Sequence, residues 1–168
     1  MHCISPVVTV SRTATYRVLL TSIGLLLSSS AVSMQTQRSA EFSFIETTID
    51  DIHSAIKDQT VDCEAITKGF LERIKKYDEI SNLNAIISIN PNAINRARAL
   101  DSKFQQAKTM QDLHCVPVIL KDNFDTADMP TEAGSVALSG SLPPDDAYMV
   151  RKLRQADAII IALSLIHI

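Results

Sequence analysis

The sequence predicts an α/β fold of helices interleaved with short buried strands. Two kinds of observation carry this. Apolar residues recur at helical spacing in 49–56 and again in 66–77. The runs "LNAIISIN", "VPVIL" and "AIIIA" read as strands, each separated from the next by a helix-like stretch. "VPVIL" and "AIIIA" show no polar alternation, as in inner strands covered on both faces. Helices alternating with such strands argue for a layered α/β architecture.

The elements follow in order. Thr48 stands three residues before Asp51, a capping-box spacing, and Ile49, Ile52 and Ile56 then share a helical face. A second helix is expected over "DCEAITKGFLERIKKYDEI", with Ile66, Phe70, Ile74 and Tyr77 as its stripe. "LNAIISIN" is the first strand. Asn90 followed by Pro91 suggests an N-cap and first helical residue, starting a helix to about Ala107 that buries Ile94, Ala97 and Phe104. "VPVIL" is the second strand and a long polar loop follows it. A last helix is expected to be capped by Asp145 or Asp146, with Val150 and Leu153 inward, before the strand "AIIIA".

Bulk properties narrow the function. The chain has 168 residues, 46% hydrophobic and 21% charged, enough for one domain at most. It has no tryptophan and a net charge of −3, so neither base stacking nor a basic surface points to nucleic acid. Residues 1–33 read as a secretory signal peptide. Arg12 and Arg17 precede the apolar "VLLTSIGLLLSSSAVS", no acidic residue occurs before Glu41, and Ala31 and Ser33 suit a cut after Ser33. The run from Val18 to Leu27 is short for a bilayer span, so a secreted protein without a stable membrane span is expected. Cys63 and Cys115 then remain in the mature chain, and their spacing alone leaves pairing open. A metal or nucleophile role for the neighbours His114 and Cys115 is disfavoured, because adjacent side chains on a strand point to opposite faces.

Lys121 poses the central question, since it ends an apolar run and is followed by Asp122 and Asn123. A solvated strand end is one reading. The other is an amine at the mouth of a crevice, where lost hydration favours the neutral form and lets it act as a base.

The stretch "LHCVPVILKDNFDTADMPTEAGSVALSGSLPPDDAYMVRKLRQADAIIIA" resembles the amidase signature family around its catalytic lysine. The matching residues are Pro117, Val118, Lys121, Asp122, Asn123, Met129, Pro130, Thr131, Gly134 and Ser135. The block from Thr48 to Asp101 resembles the family's N-terminal region, so the likeness runs to Ala162. It implies a mixed β-sheet layered between α-helices, with residues 34–168 as the N-terminal part of an amidase domain. It also implies hydrolysis of a carboxylic amide to acid plus ammonia or amine by a Ser-cisSer-Lys triad. There the lysine deprotonates a bridging serine, which relays the proton from the nucleophilic serine, and backbone N–H groups hold the oxyanion. Lys121 is the catalytic residue this carries over. A small-molecule amide is the implied partner, and no metal or organic cofactor is implied.

The resemblance also has departures. The family's serines lie in a Gly-Ser-rich segment further downstream, which this chain does not contain, and Ser135 and Ser139 read as loop hydroxyls. Cys115 and Asp128 stand where the family often has glycine. Asp157 takes a helix-ending glycine position, where aspartate tolerates a left-handed backbone. Leu163 replaces a lysine, Ser164 fits, and "LIHI" has no counterpart, so the end of the chain reads as aberrant. A catalytically inactive truncated amidase-like protein is therefore the alternative to an active hydrolase.

Overall fold

The computed structural model describes residues 42–165; the segment read as a signal peptide and the last three residues lie outside them. Helix α1 (Ile49–Lys57) begins on the expected capping box, the Thr48 hydroxyl accepting from the Asp51 N–H while Asp51 accepts from the Thr48 N–H. Ile52 and Ile56 are buried, whereas Ile49 is left exposed. Helix α2 (Cys63–Ile74) is capped by Asp62, whose carboxylate accepts from the Ala65 N–H at 2.7 Å. A second carboxylate comes from a distance: Asp101 accepts from the Cys63 and Glu64 N–H groups at 2.8 and 3.1 Å. Two carboxylates thus serve the free N–H groups of one helix end.

The α2 stripe ends earlier than its spacing predicts. Ile66 is buried and Phe70 and Ile74 are half-buried, but Tyr77 is exposed. The cause is a π-helical turn over Lys75–Glu79, which changes the rotation per residue and carries Tyr77 off the inward face. Asp78 turns inward within that turn and accepts from the Ala85 and Ile86 N–H groups, which fixes the start of β1 (Ile86–Ile89).

Asn90 is more than the N-cap its place before Pro91 suggests. Its side chain accepts from the Asn92 N–H and donates to the Ile160 carbonyl, so it ties the end of β1 to the central strand. Helix α3 (Ala93–Ala107) starts after this turn and buries Ala93, Ala97, Leu100 and Phe104, with Ile94 only half-buried. Helix α4 (Tyr148–Gln155) has Ala147 at its N-cap and no side-chain cap. Asp146 does not cap it as expected, because its carboxylate is committed to the Ala127 N–H and to Arg154.

Strands β2 (Pro117–Lys121) and β3 (Ile159–Ser164) complete a three-stranded sheet in the order β1-β3-β2. β3 lies antiparallel to β1 and parallel to β2, so the sheet is mixed as the resemblance implies. All six residues of β3 are buried. Ile159, Ile161 and Ala162 face the core made by α1, α2 and α3, while Ile160 and Leu163 face Val150 of α4 and Met129. A register irregularity opposite Val118 and Ile119 places Ile161 and Ala162 on the same side. Leu163 and Ser164 pair with Leu120 and Lys121 and belong to the strand.

Asp157, between α4 and β3, joins these layers. Its backbone is left-handed at φ 67°, as the helix-ending position requires. Its buried carboxylate receives Lys103 at 2.6 Å and Arg96 at 3.2 Å from α3, and His114 Nδ1 at 3.3 Å from the turn before β2. Its carbonyl accepts from the Cys115 N–H. His114 is itself fully buried, and its carbonyl accepts from His53 of α1.

Two outcomes follow for stability. Burial holds the His114 imidazole below its ordinary value of 6.5, against the pull of Asp157. The unfolded chain therefore binds a proton that the folded chain refuses, so this stability is complete above about pH 6.5 and is lost as pH falls through the folded value. Burial pushes the Asp157 carboxyl up, but Lys103 and His114 outweigh it and hold the group below 3.8, which adds a further loss in more acid solution. Thermal midpoints measured against pH should decline below about 6.5, and His114→Gln should flatten the first part of that decline. Asp101→Ala should cost about 1–2 kcal/mol in denaturant titration, because two buried N–H groups lose their acceptor.

Candidate functional site

Parallel pairing brings β2 and β3 to a common end, with Lys121 beside Ser164 and the Asp122 N–H donating to the Ser164 carbonyl. This is the carboxyl end of the parallel strands, where α/β sheets place ligand crevices. The apolar run predicts that β2 is an inner strand, and the family resemblance favours a desolvated Lys121 over a solvated strand end. Among the described residues β2 pairs on one side only; Ile119 is 45% exposed and Lys121 is exposed. No hydrogen bond joins Lys121 to a serine hydroxyl among those residues, and Ser135 and Ser139 are exposed loop residues, as their reading as loop hydroxyls requires.

The residues after Lys121 close a pinned loop. Asp122 is fully buried; one carboxylate oxygen accepts from the Glu132 N–H at 3.1 Å and its carbonyl accepts from the Ala133 N–H. Its other carboxylate oxygen is buried without a partner among the described residues, an acceptor at the foot of the loop. Met129 fills the core beneath α4, and the buried Thr126 donates to its carbonyl. Thr131 donates to the Phe124 carbonyl at 3.4 Å, and the Ser141 carbonyl accepts from its N–H. Ala133 and Gly134 turn the chain at φ 51° and 71°, the conformation that favours glycine at the second position. The spaced residues of the lysine motif thus have structural work in fixing the backbone that follows Lys121.

A second clamp has no signal in the sequence. Arg154 reaches from α4 to Asp128 at 2.6 Å, and Asp128 also accepts from the Asn90 side chain at 3.0 Å. Aspartate at position 128 thereby ties the loop to both α4 and the end of β1.

The cysteines correct one expectation and decide another. His114 and Cys115 do not lie on β2; they form the turn before it, with Cys115 at φ 61°. The opposite-face rule for strands does not apply there, and both side chains point into the core. Cys63 and Cys115 form a disulfide with their Cα atoms 5.2 Å apart, and the Cys63 sulfur lies 3.9 Å from His114 Nε2. The donor atoms of Cys63, His114 and Cys115 fall within 4.8 Å of one another, a grouping a metal ion could use. With the two sulfurs bonded to each other neither is a thiolate, and thiolates are what such a site needs.

A cleft of about 380 Å³ opens between α1, α2 and α3, lined by Ile56, Asp62, Asp101 and Phe104 among others. It takes no residue from β2 or the loop after it, so it is a different place from the Lys121 end of the sheet.

Comparison with known proteins agrees with this geometry. The Amidase family pattern matches residues 65–166. A probable amidase of Arabidopsis thaliana is 37% identical over 146 residues, covering 85% of this chain and 28% of that protein. A glutamyl-tRNA(Gln) amidotransferase component from Alkaliphilus metalliredigens is 35% identical over 117 residues, 69% of this chain and 23% of that protein. Among solved structures, the native peptide amidase of Stenotrophomonas maltophilia superposes with a TM-score of 0.69 at 36% identity, covering 73% of this chain and 25% of its own. The chain spans about a quarter of the length of these relatives. With the family pattern over most of the described residues and the fold shared with solved amidases, the chain belongs to the amidase signature family.

Proposed function

We propose that this chain supplies the lysine base of an amide hydrolase of Ser-cisSer-Lys type, Lys121 being that base. The observation carrying the reading is where the motif stands: Lys121 ends the parallel strand pair, and the loop that follows is pinned by Asp122, Met129 and Thr131. A base needs a fixed backbone to meet a proton within hydrogen-bond reach, and this loop provides one. In the complete mechanism Lys121 takes a proton from a bridging serine, which takes it from the nucleophilic serine as that oxygen attacks the amide carbonyl. The amide nitrogen leaves as ammonia or an amine, and water releases the acid from the acyl-enzyme.

Both serines belong to portions of the relatives that the chain does not span. The chain therefore supplies the proposed base, and the proposed nucleophile comes from a part of the fold that it does not span. A small-molecule amide is the proposed substrate. One relative is by its name a glutamyl-tRNA(Gln) amidotransferase, and a secreted protein would have no access to a transfer RNA. Secretion rests on the pattern of residues 1–33, and the mature protein is proposed to begin after Ser33.

Two measurements test these statements. In a protein encoded by the whole transcript, Lys121→Ala should lower amide turnover by roughly 10²–10⁴-fold with an unchanged thermal midpoint. Near-normal turnover in that variant removes Lys121 from the mechanism. N-terminal sequencing of the protein collected from the medium of a eukaryotic host should begin near Met34. An intact Met1 terminus, with all the protein retained in the cells, would contradict secretion.

A further inference from the structure

We propose that Cys63 and Cys115 form an oxidative cross-linking site, closed by thiol–disulfide exchange with a disulfide donor and holding the lysine strand to helix α2. The pair joins the first residue of α2 to the turn that launches β2, across 52 residues of chain. Both cysteines are fully buried in the folded chain, so the finished bond is shielded and meets soluble thiols only when the chain unfolds. Position 115 supplies a second argument. Its backbone lies at φ 61°, where a residue with a β-carbon is strained and glycine is favoured. A cysteine at such a place offers nothing to backbone geometry and is accounted for by the bond its sulfur makes.

The surroundings are built for forming that bond. Asp157 faces His114 Nδ1 and so sets the tautomer with the proton on that nitrogen, leaving the Nε2 lone pair toward the Cys63 sulfur at 3.9 Å. In the reduced chain, opening of the turn that carries Cys115 lets its thiol exchange with the donor RSSR, forming a mixed disulfide and releasing one RSH. Cys63 then gives its proton to His114 Nε2 and attacks the Cys115 sulfur. The S–S bond to R breaks, and the departing RS⁻ takes the proton from His114 to leave as RSH. The two protein thiols are oxidised and one donor disulfide is reduced to two thiols, so atoms and electrons balance. The donor is a small-molecule or protein disulfide of the kind that oxidising compartments maintain.

The cross-link is independent of the amidase reading, and its test uses thiols and heat rather than amide turnover. The protein is produced in secreting eukaryotic cells, denatured in iodoacetamide without reductant, and digested for mass spectrometry. The peptides of Cys63 and Cys115 should appear joined and unalkylated, and reduction should free both. The thermal midpoint should fall by roughly 10 °C on reduction. The pair Cys63→Ser with Cys115→Gly should show the low midpoint with or without reductant. Because truncating buried side chains also costs packing, the deciding comparison is the absence of any reductant effect in this variant against its presence in the parent chain. With oxidised glutathione as the donor, His114→Gln should slow closure of the bond in the reduced protein at least tenfold while leaving the final linked fraction unchanged. Alkylation of both cysteines without reduction, or an unchanged midpoint after the bond is reduced in denaturant and the chain refolded, overturns the proposal. So does one zinc ion per chain with thiols that react only after chelation, which would make the same three residues a metal site.

Discussion

A single buried carboxylate holds the two halves of this structure together. Asp157 receives two cations from α3 and the imidazole of His114, while its carbonyl takes the Cys115 N–H. A carboxylate in the interior costs several kcal/mol unless charges and hydrogen bonds surround it, and here three side chains do so. The consequence is positional. α3 and the turn before β2 must both arrive at one point, because their groups bond the same residue, and β3 starts there because it follows Asp157 in the chain. β2 and β3 then run parallel from a shared origin and end together at Lys121 and Ser164, which sets Lys121 where it stands.

The loop beyond Lys121 repeats this logic at smaller scale. Asp122 is buried like Asp157, and it spends one oxygen and its carbonyl on the returning residues Glu132 and Ala133. Asp128, Asp146 and Arg154 hold the outside of the same loop against α4. The polar residues of the motif therefore act mainly on the backbone, and the one charged group they leave projecting is the lysine. That division of labour gives Lys121 a rigid backbone, the support that the proposed base needs.

How far the sequence foretells this depends on the kind of interaction. Local signals are legible. The Thr48–Asp51 box, the buried positions Ile52 and Ile56 of α1 and Ala97 and Phe104 of α3, and the fully buried run of β3 all act within a few residues, and the chain obeys them. Interactions across long separations are not. The π-helical turn that displaces Tyr77 is set by Asp78 reaching β1, and Asp146 fails as a cap because Arg154 and Ala127 claim it. The dryness expected for β2 rests on its apolar pattern alone, whereas burial of an edge depends on which strands lie beside it. His114 and Cys115 depart from expectation for a related reason: the strand starts later than its apolar run suggests, and a left-handed turn puts both side chains on the inside. The lysine motif itself is legible only through its resemblance to a family, since a lysine at the end of a strand is common.

The most direct test of this account is amide hydrogen exchange in the full chain with Asp157→Asn. Asparagine keeps the tolerance for a left-handed backbone and removes the charge, so the change isolates the carboxylate. If Asp157 is the common anchor, protection should fall together in α3, in β2 up to Lys121 and in β3, as one cooperative unit. Loss confined to the residues next to position 157, with β2 and α3 as protected as before, would contradict it.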